Sequence, residues 1–262
     1  MQHMTREEVA REAAQKAGTI LKNGVPTEGI VEKEGQANIV TATDLASEKL
    51  IIELILRHFP QDAILSEETE SKVADPLKEP KLWVIDPIDG TNNFRFGRNY
   101  SAVSIAYMEH GVSQIGAVCN PFTNEVYFAK KGNGAFLNGV KMQVSQQKDL
   151  LKASVGTGNQ YDPQMDKRNI EILLNLPRRA WILIRGSAVL ELSDLAAGKI
   201  DLFFHNGMRP WDMAAAYLFI EEAGGVIKDF NGNKATIMTA EKGDIVCGNE
   251  ALVDAFLEAV NQ

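Results

Sequence analysis

Residues 82–91 read Leu82-Trp83-Val84-Ile85-Asp86-Pro87-Ile88-Asp89-Gly90-Thr91. The first four residues have the length and bulk of a buried strand, and two aspartates follow at its carboxyl end, where open α/β sheets place ligands. Pro87 stiffens the turn by fixing its φ angle, whereas Gly90 lets the backbone approach a ligand and point N–H groups at an anion. The segment therefore favours a cation that bridges two carboxylates to a phosphate, although an Asp-Pro or Asp-Gly pair alone is typical of an ordinary turn.

Further acids occur at comparable places along the chain. Glu67 and Glu68 follow another short apolar run. Asp44 and Asp212 lie at the starts of predicted helices. Taken singly, these two aspartates fit helix N-caps, and Glu68 fits a solvated surface residue. Brought together, the like charges would repel strongly unless cations neutralised them, and oxygen ligands without a histidine or cysteine alternative favour Mg²⁺ or Mn²⁺ over zinc.

The composition limits the classes of protein to which the chain can belong. Apolar side chains make up 45% of the 262 residues, enough for a sizeable core, and the formal net charge of −8 argues against a nucleic-acid polymer as a partner. The first ten residues contain no apolar run, and no stretch approaches the ~18 apolar residues of a membrane span. Cys119 and Cys247 have apolar neighbours and are predicted to be buried. We expect a cytoplasmic protein without membrane contact.

Hydrophobic periodicity predicts two helices near the N-terminus. Thr5 and Glu8 form a capping box before the first helix, which Asn23-Gly24 ends. The second helix is predicted to bury an apolar face made of Leu45, Leu50, Ile51, Leu54 and Ile55.

The rest of the chain is predicted to form strands first and then alternating elements. Residues 101–129 contain three consecutive strand patterns separated by turn residues, which indicates an antiparallel meander. From about residue 153 strands alternate with helices, as in α/β layers. We therefore predict two closely packed lobes, an N-terminal α+β lobe at 1–145 with the metal-binding motif and a C-terminal α/β lobe at 146–262.

Two longer motifs extend the acidic pattern. The first is Trp83-Val84-Ile85-Asp86-Pro87-Ile88-Asp89-Gly90-Thr91-Asn92-Asn93-Phe94, and the second is Pro210-Trp211-Asp212-Met213-Ala214-Ala215 followed by Glu222-Ala223-Gly224-Gly225. With shorter matches between them, they resemble the inositol monophosphatase family, one of the Mg²⁺-dependent, Li⁺-sensitive phosphatases that include fructose-1,6-bisphosphatase. The resemblance covers nearly the whole chain. It implies a layered αβαβα sandwich of the sugar-phosphatase type, two to three Mg²⁺ ions per site, and a homodimer.

The resemblance also assigns residues to the metal and catalytic site. The implied metal ligands are Glu67, Asp86, the main-chain carbonyl of Ile88, Asp89 and Asp212. Asp44 and Thr91 would orient and help deprotonate the attacking water, and a third ion near Glu67 would make that residue catalytic as well. Phosphate would rest on the main-chain N–H groups of Gly90 and Thr91.

Substrate contacts are implied at three further places. Gly186, Ser187 and Ala188 match a loop that borders the substrate in the family. Lys33 matches a lysine that would balance carboxylate charge, and an ordinary surface lysine is the alternative. His205 replaces the glutamate with which animal inositol monophosphatases bind inositol hydroxyls, and a half-exposed loop histidine is the alternative. Arg185 is offset from the family's arginine, so its role stays open between the site and a dimer contact.

The implied function is hydrolysis of inositol monophosphate or a similar small sugar or polyol phosphate by direct attack of metal-activated water. Fructose-1,6-bisphosphate, histidinol phosphate, NADP(H) and 3′-phosphoadenosine 5′-phosphate remain alternatives within the superfamily. An aspartyl-phosphate route typically uses aspartates two residues apart, whereas Asp86 and Asp89 are three apart. A non-enzymatic metal-binding or regulatory module is the remaining alternative.

Overall fold

The structure is a computed structural model that describes residues 4–33, 39–69, 75, 78–158, 163–176, 180–237 and 244–261. Its helices are α1 (Arg6–Asn23), α2 (Ala42–His58), α3 (Thr91–Arg95), α4 (Pro163–Asn175), α5 (Ala188–Ala196), α6 (Pro210–Glu222) and α7 (Glu250–Val260). Its strands are β1 (Val31–Glu32), β2 (Ile39–Val40), β3 (Ala63–Ser66), β4 (Leu82–Asp89), β5 (Ala102–Glu109), β6 (Val112–Asn120), β7 (Glu125–Lys130), β8 (Ala135–Leu137), β9 (Val140–Lys141), β10 (Ser154–Gly156), β11 (Trp181–Leu183), β12 (Leu202–Asn206), β13 (Val226–Lys228) and β14 (Asp244–Gly248).

Two large sheets organise these elements. The first has seven strands in chain order from β3 to β9, with β3 and β4 parallel and every later pair antiparallel. It contains the predicted meander. The second has the order β11-β10-β12-β14-β13, with β10 parallel to both neighbours and β14 antiparallel to both of its own. A small antiparallel pair, β1 and β2, precedes them.

Helices fill the spaces around the sheets and complete five layers. In β4, Trp83 and Ile85 face the core beneath α1 and α2, whereas Leu82 and Val84 face the core that contains α5 and α6, as the two-residue period of a strand requires. The second sheet packs its other face against α4 and α7. The predicted αβαβα sandwich is therefore confirmed. The division into lobes at 1–145 and 146–262 stays a prediction.

The first two helices begin with capping boxes. In α1 the predicted box is present, since Glu8 accepts the Thr5 N–H at 2.8 Å and Thr5 accepts the Glu8 N–H at 3.3 Å. In α2 the N-cap is Thr41, and Asp44 is the third helical residue, so the N-cap interpretation of Asp44 is wrong. The same holds for Asp212, which lies three residues after the N-cap of α6.

The buried face of α2 differs from the predicted one. Leu45 is 53% exposed, because Ser47 and Glu48 lie on the inward face at the positions that precede Ile51. The Ser47 hydroxyl donates to the Pro87 carbonyl at 3.0 Å, and Glu48 accepts the N–H of Thr69 at 3.0 Å. Polar residues thus connect α2 to the candidate site. The buried face of α2 was predicted wrongly because the prediction considered apolar residues alone.

Helix α6 crosses between the sheets and is tied to the first one at both ends. The Ser113 hydroxyl on β6 donates to the Ala214 carbonyl at 2.7 Å. At the other end the two carboxylate oxygens of Glu222 accept the N–H groups of Gly132 and Gly134, each at 2.7 Å. An acid in the last turn of a helix opposes the helix dipole, so this clamp explains why a glutamate ends α6.

Two predictions from composition are tested by the structure. Cys119 and Cys247 are both buried and free, as predicted, and burial raises the pKa of each thiol. Within the described ranges, no helix is both long and apolar enough to span a lipid bilayer.

Candidate active site

Three aspartates from two distant segments meet at one end of the first sheet. Oxygens of Asp86 and Asp89 on β4 and of Asp212 in the first turn of α6 all lie within 4.8 Å of one another. Residues three apart on a regular strand point to opposite faces, but the pairing of β4 with β5 shifts register between Asp86 and Asp89. This irregularity explains how one strand supplies two carboxylates to the same space. It also carries β4 past Ile85, where the strand was predicted to end.

The buried charges suit a cation. Asp86 is 1% exposed, and its Oδ1 has no hydrogen-bond partner among the described residues. Burial and then repulsion from neighbouring carboxylates raise the pKa of Asp86 and of Asp212 well above the ordinary range. A buried carboxylate oxygen without a partner is costly unless it is protonated or bound to a cation. The all-oxygen donor set therefore fits Mg²⁺ or Mn²⁺.

Glu67 lies beside these aspartates but makes an ion pair of its own. The Lys33 amino group lies 3.1 Å from the Glu67 carboxylate and 2.7 Å from that of Glu68. The Glu68 side chain is almost fully buried, so its interpretation as a solvated surface residue is wrong, and burial raises its pKa to about 7. The structure therefore places Lys33 at the acidic cluster. Its role there, and that of Glu67, stay predictions.

The predicted Thr-Asp pair is brought together at the starts of α2 and α3. The Thr91 hydroxyl lies 3.3 Å from Asp44 Oδ1 and 2.9 Å from the main-chain oxygen of Ile88. Because a hydroxyl carries one proton, it donates to one of these acceptors at a time. Burial raises the pKa of Asp44 to about 6, against the lowering effect of its hydrogen bonds from Thr41. A carboxylate with such a pKa can accept a proton near neutral pH.

The loop before α5 contacts Asp89 directly. Ser187, the N-cap of α5, donates its hydroxyl proton to Asp89 Oδ2, and the N–H of Val189 donates to the same oxygen at 3.1 Å. Gly90 has φ +82°, and a side chain there would meet the main-chain oxygen of Gly186 at 3.2 Å. Gly186, Ser187 and Ala188 therefore border the acidic cluster, and their substrate contacts stay predictions.

His205 is buried in β12, so the half-exposed loop interpretation is wrong. Burial lowers its pKa to about 4, so the imidazole is neutral near pH 7, and its ring stacks on Phe203 at 5.9 Å between centroids. Arg185 pairs with Asp194 at 2.8 Å and lies over the Tyr100 ring at 4.6 Å. Arg185 thus has a structural partner next to the site.

Two residues of this region were missed from the sequence. Asn93 lies within the first motif but had no predicted role, and its side-chain amide donates to the Arg185 carbonyl in the loop before α5. Glu191 is a buried carboxylate on α5. The available signal for Glu191 was an acid among Val189, Leu190 and Leu192 in the first half of a helix that also contains Asp194. Buried acids in such helices usually have a specific polar partner.

Five alternating layers with a buried carboxylate cluster at a strand end define an α/β protein with a site suited to divalent cations. The chain belongs to the inositol monophosphatase family, whose sequence model matches residues 3–262. It is 38% identical over 253 residues to the protein named Nus factor SuhB of Salmonella typhimurium, covering 95% of this chain and 93% of that protein. It is 35% identical over 263 residues to inositol monophosphatase 2 of Solanum lycopersicum, covering 97% of each chain.

A solved structure shares the architecture. The extragenic suppressor protein suhB from Bartonella henselae superposes with a TM-score of 0.89 at 31% identity, covering 97% of this chain and 98% of that one. The family's enzymes depend on Mg²⁺ and bind small phosphorylated substrates, so the acidic cluster lies in a fold that carries this chemistry.

Proposed function

We propose that this chain hydrolyses the phosphate monoester of inositol monophosphate, or of a similar small sugar or polyol phosphate, in a Mg²⁺-dependent reaction. The observation that carries the proposal is the group of three carboxylates within 4.8 Å, two of them buried and one partly buried, of which Asp86 has an oxygen without a partner among the described residues. Such a cluster is unfavourable unless protons or a cation neutralise it, and this supports a bound cation. Mn²⁺ would fit the same ligands.

In the proposed reaction, different residues of the chain would bind two to three ions, the attacking water and the phosphate. Glu67, Asp86, Asp89, Asp212 and the carbonyl of Ile88 would hold the metal. When bound, Mg²⁺ would neutralise phosphoryl charge and make a nearby water more acidic. Asp44 and Thr91 would orient the attacking water and accept its proton. The N–H groups of Gly90 and Thr91 would donate to the phosphate.

The leaving group would lie toward the loop before α5 and the end of β12. Main-chain groups of Gly186, Ser187 and Ala188 would contact substrate hydroxyls, and Lys33 would balance charge at the acidic cluster. The ring of His205 already bonds the main chain of Asn206, and the other nitrogen of the neutral imidazole would contact a substrate hydroxyl. A cytoplasmic location, expected from the sequence, stays a prediction.

A homodimer is part of the proposal. β11 is an edge strand of the second sheet, and it exposes 71% of Trp181, with Ile182 and Ile184 also exposed. An apolar edge strand invites pairing with another chain. We expect light scattering to report a dimer for the wild type and a monomer for Trp181→Lys. If the Trp181→Lys protein stays dimeric, β11 does not form the dimer interface.

Phosphate release across a substrate panel tests the proposal. The panel contains inositol 1-phosphate, fructose-1,6-bisphosphate, histidinol phosphate, NADP and 3′-phosphoadenosine 5′-phosphate, each with Mg²⁺ and with a chelator. We expect Mg²⁺-dependent turnover that favours the polyol phosphate and that Asp89→Asn abolishes without unfolding the chain. The control is Asp254→Asn on the exposed face of α7, which should be fully active. A clear preference for the phosphonucleotide would refute the substrate class, and no turnover with any cation would refute the enzyme.

The route of hydrolysis has its own test. In a single turnover in ¹⁸O-labelled water, direct attack places the label in the released phosphate. Water attack on the phosphorus of an aspartyl phosphate would label the phosphate as well, so the result that would show this route is a phosphorylated enzyme carboxylate in the acid-quenched turnover.

A further inference from the structure

Glu191 is a carboxylate on α5 with 1% of its surface exposed. Its Oε1 accepts the N–H of Arg185 at 3.0 Å, and the N–H of Gly186 also donates to this carboxylate. Its Oε2 has no partner among the described residues and faces Gly156, where a side-chain carbon would lie only 2.8 Å away. Burial of an acid costs free energy. The hydrogen bonds that Glu191 accepts from two main-chain N–H groups offset this cost.

The main-chain oxygens of the same two residues face Asn93 of α3. Its side-chain amide lies 2.7 Å from the main-chain oxygen of Arg185, 2.9 Å from that of Tyr100 and 3.1 Å from that of Gly186, and its two protons serve two of these acceptors at a time. Glu191 therefore binds the N–H groups and Asn93 binds the carbonyl groups of one short segment. The segment is fixed between α5 and the first motif, and it has little freedom to shift relative to β4.

The residue that follows this segment sets the orientation of Asp89. Ser187 donates its hydroxyl proton to Asp89 Oδ2, and the start of α5 adds the Val189 N–H at 3.1 Å. We infer that Glu191 is a positioning residue, which holds residues 185–187 in place so that Ser187 and the start of α5 orient Asp89 toward the cation. This inference rests on the proposed function, because it takes Asp89 to be a metal ligand.

Substitutions at Glu191 distinguish the effect of the position of its carboxylate oxygens from the effect of its charge. Burial raises the pKa of Glu191 to about 8, so Glu191→Gln resembles its neutral form and keeps an acceptor oxygen at the same reach. Glu191→Asp keeps the charge but withdraws the oxygens by one methylene group, and Glu191→Met removes the acceptor. Ser193→Ala is the matched control, because it deletes a buried hydrogen bond of the same helix, to the Val189 carbonyl at 2.7 Å, without touching residues 185–187.

Mn²⁺ binding followed by electron paramagnetic resonance gives the readout, alongside the thermal midpoint of each variant. We expect Glu191→Met and Glu191→Asp to weaken Mn²⁺ binding about 10-fold to 100-fold, as loss of a ligand's supporting partner does. Glu191→Gln and Ser193→Ala should bind within about threefold of the wild type, which is the scatter left by small packing changes. Ser187→Ala should weaken binding as well, and adding Glu191→Asp to it should cause no further loss, because both changes act on the same link.

Other patterns would overturn the inference. If Glu191→Asp binds Mn²⁺ normally and Glu191→Gln does not, charge and not position is what matters. If all Glu191 variants bind normally while their thermal midpoints fall, Glu191 is only structural. In both cases, phosphate release by the wild-type protein with Mg²⁺ would still support the proposed function. Wild-type protein that neither binds Mn²⁺ nor releases phosphate would refute the proposed function and this inference together.

Discussion

Replacing Asp86 by asparagine should stabilise the metal-free protein, which is the opposite of the usual effect at a buried position. Oxygens of Asp86, Asp89 and Asp212 lie within 4.8 Å of one another, and two unit charges at that distance repel by about 3.5 kcal/mol at an effective dielectric constant of 20. Asp86 belongs to two of the three pairs, so its repulsion would be about 7 kcal/mol at that distance if all three acids were ionised. Retained protons relieve most of this repulsion, and we expect a net gain of about 2 kcal/mol.

The pH dependence has a definite sign. Burial, and then the neighbouring acids, raise the pKa of Asp86 in the folded chain above its value in the unfolded chain. The folded state therefore binds the proton more tightly, and this stabilisation is lost as pH rises from about 4 toward the raised pKa. The difference between Asp86→Asn and wild type should grow as pH rises from 5 to 8.

Thermal unfolding in a chelator at pH 7.5 measures the effect. A gain of about 2 kcal/mol should raise the midpoint by about 4–8 °C for a chain of this size. The control is Asp62→Asn, because Asp62 is a buried acid paired with Arg6 at 3.0 Å and with the Trp83 indole N–H at 3.1 Å. That substitution should destabilise the chain by about 1–3 kcal/mol. Excess Mg²⁺ should raise the wild-type midpoint and leave that of Asp86→Asn nearly unchanged. An Asp86→Asn protein that is less stable than wild type in chelator would refute the repulsion argument.

Three further outcomes are expected. Thr91→Val removes the hydroxyl near Asp44, so phosphate release should fall about 100-fold while Mn²⁺ binding stays constant; equal losses in both would contradict the proton-transfer role. Glu222→Gln leaves one N–H of the α6 clamp unpaired and should lower the free energy of unfolding in urea by about 1–3 kcal/mol. The control Glu221→Gln loses only an exposed ion pair and should lower it by less than about 0.5 kcal/mol. Equal losses would contradict the clamp. Burial holds the pKa of Asp89 above its ordinary value, so Mn²⁺ must displace protons and should bind more weakly at pH 6 than at pH 8; calorimetry in two buffers detects the released protons, and pH-independent binding would contradict the raised pKa.

Local signals predicted much of the fold because they are set by neighbouring residues. The capping box of Thr5 and Glu8 starts α1 as expected, and turn residues separate the strands of the meander where they were expected. The acids of the two motifs could be grouped in advance because they follow a predicted strand or start a predicted helix, and because both motifs resemble one family. Their convergence in space, however, depends on how α6 packs on the first sheet.

Other features depend on contacts that no local pattern contains. The end of β4 was misplaced because pairing with β5 continues through an irregularity around Pro87, and a bulge tolerates a proline that a regular ladder would not. Leu45 was placed inside because apolar periodicity ignores polar residues with buried partners, such as Ser47 and Glu48. His205 was weighed as a loop residue because the length of β12 is set by its pairing with β14.

Anomalous diffraction from crystals grown with Mn²⁺ gives the most direct view of the acidic cluster. Carboxylates from β4 and α6 should share at least one manganese peak, with oxygens of Asp86, Asp89 and Asp212 at coordination distances of about 2.0–2.5 Å. A second peak should lie between Asp86 and Glu67. Manganese bound elsewhere on the chain, with these carboxylates free of metal, would contradict the central claim that the buried acids exist to hold divalent cations.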